Sequence, residues 1–146
     1  MNIPFLDAWR KRHGGEREDS LAAAFDRNPE GVAELLAECE LLRARVAQAG
    51  VELDDSPRSL ELIDQLPPRW RDDPEELPWI GNDAGLYLGT VIVRTVPGAA
   101  WGVWPGGQPV VRLPSGREVN VVEAGLDWAM SGSPELSQVY AEAAES

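Results

Sequence analysis

The chain has 146 residues, 43% of them hydrophobic, and a formal net charge of −12. That is the length of one domain with enough apolar side chain for one core, and the excess of carboxylates argues against a phosphate-backbone partner such as nucleic acid. No apolar run reaches the ~18 residues of a membrane-spanning helix, a single cysteine excludes an intrachain disulfide, and no secretory signal opens the chain, so a cytoplasmic protein is expected.

Pro4 is placed to open a short helix with Phe5, Leu6 and Trp9 on one side and Arg10, Lys11, Arg12 and His13 on the other, stopping at Gly14-Gly15. So few turns bind a membrane weakly. The expectation is therefore a terminal docking helix, Phe5, Leu6 and Trp9 being its candidate contact residues. Asp19 or Ser20 caps a second short helix through Leu21 and Phe25. Asn28-Pro29 combines a cap with proline at the first helical position and opens a helix to about Ala49, with Gly50 as the stop. Val32, Leu35, Leu36, Cys39, Leu42 and Val46 form its apolar stripe. Cys39 lies on that stripe with no basic group to activate it, as an inert core residue.

Val51-Glu52-Leu53 has the composition of a short edge strand. Asp55-Ser56-Pro57 repeats the cap-plus-proline signal for a helix through Leu60, Leu62 and Ile63, which Pro67-Pro68 ends. From there to Gly81 an ordered loop is expected, pinned by Trp70 and Trp79. Asp83 to Val96 is predicted as a helix. Asn82-Asp83 suits its start and Pro97-Gly98 its end, and Gly85 and Gly89 sit at a spacing that lets a helix approach a sheet closely.

Ala100 to Val121 spells out a three-stranded meander with turns at Pro105-Gly106-Gly107 and Pro114-Ser115-Gly116. Both loops end in glycine, as a three-residue hairpin loop requires. This odd loop length sets Trp101 opposite Val111 and Val111 opposite Val119. It puts Trp101, Val103, Val111, Leu113, Val119 and Val121 on one apolar face, and Gly102, Trp104, Val110, Arg112, Glu118 and Asn120 on the other. Arg112 then faces Glu118 as a cross-strand ion pair. A helix from Val122 to Met130 and a last one capped by Ser133-Pro134-Glu135, with Leu136, Val139 and Tyr140, complete the chain.

The series Asp55-Ser56-Pro57-x-Ser59-Leu60, Leu86-Tyr87-Leu88-Gly89 and Trp101 resembles a group of small uncharacterised bacterial proteins found especially in actinomycetes. That group pairs a "YLG" helix with a tryptophan-bearing meander and a closing helix. The resemblance covers roughly residues 51–140. It implies a helix over 83–96 and brings no known activity.

No motif in the chain carries recognisable chemistry. His13 is the only histidine and sits among bases, so neither a histidine metal site nor a Ser-His-Asp triad is expected. No nucleotide-binding glycine loop is present. Asp72, Asp73, Glu75 and Glu76 form the densest acidic cluster, without the alternate spacing and central glycine of a calcium loop. No catalytic residue, metal or cofactor is assigned. What remains is surface: Trp104, Val110, Arg112 and Arg117 make a candidate binding patch, since tryptophan and arginine are frequent interface anchors; the alternative is that Arg112 is taken up by Glu118 and Trp104 is covered by the 70–80 segment.

The expectation is thus an α+β fold. A small antiparallel meander of three or four strands packs against helices, with an N-terminal helical segment over 1–50 and an α+β part over 51–146 joined in one domain. The expected function is a non-enzymatic protein-binding or regulatory module with a protein partner, in a form such as an immunity protein or antitoxin. The alternatives are a hydrolase or ligand-binding enzyme using carboxylates such as Asp72, Asp73 or Asp83, and a structural subunit of a larger assembly.

Overall fold

The longest helix, Leu77–Thr95, is the axis of the molecule. From Ile80 to Ile92 every residue except Asp83 is buried. A helix apolar on all sides must be covered on all sides, and the other elements do this. The computed structural model describes residues 21–145. In chain order they form α1 (Leu21–Arg27), α2 (Pro29–Leu36), α3 (Glu40–Gln48), α4 (Pro57–Asp64), a 3-10 turn (Arg69–Asp72), α5 (Leu77–Thr95), β1 (Ala100–Val103), β2 (Pro109–Arg112), β3 (Glu118–Val119), α6 (Val121–Ser131) and α7 (Leu136–Glu145). The expected N-terminal docking helix with Phe5, Leu6 and Trp9 lies outside the described residues, as does His13. The three strands form one antiparallel sheet in sequence order, and the architecture is α+β. A single apolar cluster runs from Leu21 to Ala143.

Helix α5 can be reached so closely because of glycine. Gly81 lies against Leu126 and Ala129, and Gly85 against Val121 and Val122, so α5 and α6 run antiparallel. A Cβ on Gly125 of α6 would fall on the backbone of Gly81 and Gly85. Four residues further along α5, the indole of Trp101 covers Gly89. The spacing of Gly85 and Gly89 thus does bring the helix onto the sheet, but only through Gly89; Gly85 meets a helix.

The meander follows the expected register. Trp101 pairs with Val111, Val111 with Val119 and Arg112 with Glu118. Gly107 and Gly116 both take the left-handed conformation, with φ of +87° and +93°. In each turn the glycine amide returns to the carbonyl that opens the loop, Trp104 or Leu113. Val111 and Leu113 are buried, and Trp101, Val103 and Val119 pack on the core. The third strand is shorter than expected, because the Asn120 side chain caps α6 by accepting from the Glu123 amide, and Val121 is already helical.

Four other expectations are corrected. The helix from Pro29 does not continue to Ala49 but breaks at Cys39, which adopts φ +42°. No strand forms over 51–53; Val51 instead closes the end of α3 by bonding the Val46 carbonyl. The segment before Gly81 is not all loop, since α5 begins at Leu77 and Asn82-Asp83 lies inside it rather than at its start. Ile80 and Gly81 of that extra turn are buried, Gly81 against Leu126 and Ala129 of α6, and this packing outweighs the local cap signal. The last helix is capped not by Ser133 but by Asp64 of α4, which accepts from the Leu136 and Ser137 amides at 2.9 and 3.0 Å.

The α5–α6 contact leaves no room for a side chain. Gly125→Ala is expected to lower unfolding free energy by about 3 kcal/mol, since the obstacle is backbone. Gly106→Ala, in open space, is expected to change it by less than about 0.5 kcal/mol. Denaturant titration of both variants checks the contrast.

Candidate functional site

On the outer face of the sheet, the Arg112 side chain lies across Gly102 and its Nε donates to Glu118 at 3.0 Å. The Arg112 hydrogen bond holds the Glu118 carboxyl below its ordinary range. Trp104 remains 36% exposed at the end of the first hairpin, so it does not sit beneath the 70–80 segment. Arg117 is exposed beside the second turn. Val110 was expected on this surface but is fully buried. It sits on the centre strand, paired with Gly102 of β1, and alternation alone does not show what covers that face. The surface therefore consists of Trp104, Arg112, Arg117 and Glu118.

The segment 69–80 divides its tryptophans. Trp70 is buried and stacks on Trp128 with ring centroids 5.0 Å apart, while its Nε1 donates to the Ala129 carbonyl at 3.0 Å. Arg71 donates to Ala129 and Trp128 carbonyls, at 2.8 and 3.2 Å. Together they satisfy the C-terminal carbonyls of α6 with a cation where the helix dipole favours one. Trp79 does not pin the segment; it is 40% exposed. Beside Trp70 a groove of about 410 Å³ opens, lined by Leu42, Val46, Leu66 and Arg69 and bridged by an ion pair of Arg45 with Glu76.

Residues that carry the family resemblance, from the 55–60 and 86–89 segments, meet in space. The Tyr87 hydroxyl accepts from the Asp55 amide at 2.8 Å and contacts the Ser59 hydroxyl at 2.6 Å. Ser56 caps α4 by accepting from the Ser59 amide. Asp55, at φ +64°, pairs with Arg43 at 3.3 Å and with Arg94. Arg43 also lies over the Tyr87 ring. This constellation ties the start of α4 to the middle of α5, which makes it a structural lock.

The candidate catalytic carboxylates do not converge. Asp72 and Asp73 are exposed, and Asp73 accepts from the Glu75 and Glu76 amides. Asp83 is mostly buried elsewhere, and its Oδ2 accepts from the Leu42 amide at 3.1 Å, at the N-terminus of α3. Burial pushes this carboxyl up to about 6 against the pull of the Leu42 and Leu41 amides. Cys39 is 5% exposed and its thiol donates to the Leu36 and Asp83 carbonyls; burial pushes its pKa well up. No group of three His, Cys, Asp or Glu side chains that could hold a metal occurs among the described residues. None of the helices there is long and apolar enough to cross a membrane. Sequence reasoning missed the roles of Asp64, Arg71 and Asp83 as partners of distant helix ends, because nothing local signals a cap that arrives from another element.

The fold and its outer sheet face define a small α+β domain built on a buried glycine-bearing helix. The whole chain, residues 1–146, belongs to a family of unknown function (DUF6278). Comparison with curated proteins and with solved structures returns no match.

Two substitutions test these buried groups. Tyr87→Phe removes the acceptor of the Asp55 amide and the Ser59 contact, and is expected to cost about 1.5 kcal/mol in denaturant unfolding. Asp83 titrates near 4 when unfolded and near 6 when folded, so the folded state binds its proton more tightly. The stability linked to Asp83 is complete below about pH 4 and is lost as pH rises through about 6. Asp83→Asn keeps an accepting oxygen without the titration. Its stability relative to wild type is expected to rise by on the order of 2–3 kcal/mol between pH 4 and pH 7; a difference that stays flat with pH would refute the raised pKa.

Proposed function

We propose that the chain is a non-enzymatic cytoplasmic protein-binding or regulatory module. Neutralising a basic protein, as an immunity protein or antitoxin does, is the form its charge suits. The observation that carries this reading is Trp104, a large ring left 36% exposed at the end of the first hairpin. A tryptophan is stiff for the area it offers, so it loses little freedom when a partner buries it. Arg112 is already paired with Glu118, so the patch offers an acidic peptide little uncompensated charge. A basic partner fits better. Glu30, Glu34, Glu38 and Glu40 are exposed on α2, at the start of α3 and between the two, and a net charge of −12 steers a cationic protein toward the molecule.

Tagged wild-type and Trp104→Ala proteins, purified from the native host and analysed by mass spectrometry and titration, test this. The expected result is a basic protein that binds wild type at least about tenfold more tightly than Trp104→Ala, with affinity falling as salt rises. Recovery of no partner, together with turnover on a generic substrate panel, would overturn it.

A further inference from the structure

The outer face of the sheet is a poor seat for the cationic side chains of a basic partner. Trp104 stands there with Arg112, Arg117 and Glu118, and that balance of charge repels a cation. A second ring, Trp79, lies on the first turn of α5 and is 40% exposed. Its surroundings carry the opposite charge.

Trp79 follows Glu76 by three residues and precedes Asp83 by four, and Glu76 already has a helical backbone, with φ −80° and ψ −33°. Residues at that spacing share one side of a helix. That side faces α3: Glu76 pairs with Arg45, and Asp83 accepts from the Leu42 amide at 3.1 Å. Glu40, the first residue of α3, lies close enough for its charge to act on the Asp83 carboxyl. Glu75 is exposed on the turn that leads into α5, and Leu77 and Pro78 beside the ring are half-buried. The indole therefore stands between carboxylates of two elements, on a partly apolar floor. The cation they share, Arg45, is already bonded to Glu76.

We propose that Trp79 and the carboxylates around it are the docking surface for an arginine-bearing segment of the basic partner, with a guanidinium over the indole and its N–H groups toward Glu40 and Glu75. The proposal rests on the reading of a basic partner and assigns that partner's cationic contact. Charge complementarity selects the occupant, because an acidic segment would meet several carboxylates at once. The exposed ring selects arginine among cations. A guanidinium is planar, stacks on an indole and is weakly hydrated, whereas a lysine ammonium is a strongly hydrated point charge. Bonds from its N–H groups to carboxylates are charge-assisted, and covering the ring removes apolar area from water.

Acetylated tetra-arginine amide, titrated into the full chain, tests the surface. The indole N–H signals of the tryptophans, assigned by Trp→Phe variants, report it by NMR. The Trp79 signal is expected to move before that of Trp104. Glu40→Gln/Glu75→Gln is expected to weaken binding at least about threefold. Glu30→Gln/Glu34→Gln makes the same change of charge on α2 and is expected to weaken it less than about 1.5-fold. An unmoved Trp79 signal, or equal losses in the two double variants, would overturn the proposal. The basic protein sought above is expected to bind Trp79→Ala at least about fivefold more weakly than wild type. Equal binding overturns this surface and leaves the partner reading standing. Absence of any partner overturns that reading, and the tetra-arginine titration then decides this one.

Discussion

Every other feature of this protein depends on two helices touching backbone to backbone. Gly81 and Gly85 of α5 and Gly125 of α6 leave no space for even one methyl group between them. Close approach brings many atoms into dispersion contact at once and forces the flanking side chains, Ile80, Ala84, Leu88 and Ala129 among them, into a dry interior. Once α6 is fixed on one side of α5, the sheet that precedes it is fixed as well, because β3 runs into α6 across Asn120 alone. Trp101 over Gly89 then closes the sheet onto the same helix.

A buried central helix creates a second requirement. Elements packed on it end near its surface, where their unpaired amides and carbonyls have little access to water. The protein meets this with side chains from elsewhere in the fold. Asp83 serves the N-terminus of α3, Asp64 the N-terminus of α7, and Trp70 with Arg71 the C-terminus of α6. The charges have the sign the helix dipoles favour in each case. Much of the chain's polar chemistry is thus occupied with holding helix ends.

The sheet was legible from the sequence because hairpin register is a local property. Loop length, a glycine at the left-handed position and the alternation of valines decide it within about twenty residues. The cap-plus-proline signals at Asn28-Pro29 and Ser56-Pro57 worked for the same reason. The break at Cys39 was not legible, since a clean helical stripe runs through it and the side chains that bond its backbone, Arg43 at the Ala37 and Glu38 carbonyls and Asp83 at the Leu42 amide, lie outside the joint. Neither the exposure of Trp104 nor the burial of Val110 beside it was legible, because alternation tells which face a strand residue takes but not what covers that face.

By itself the sequence determined the elements whose signals lie within one turn or one hairpin: the meander, its register, the Arg112–Glu118 pair and the helical nature of the segment carrying Gly85 and Gly89. Only the tertiary structure decided where helices begin, break and end, as at Leu77, Cys39 and Leu136. These boundaries are set by burial and by hydrogen bonds between residues some 40 to 70 positions apart, and a helix end satisfied by a distant carboxylate leaves no mark on its own neighbours in the chain.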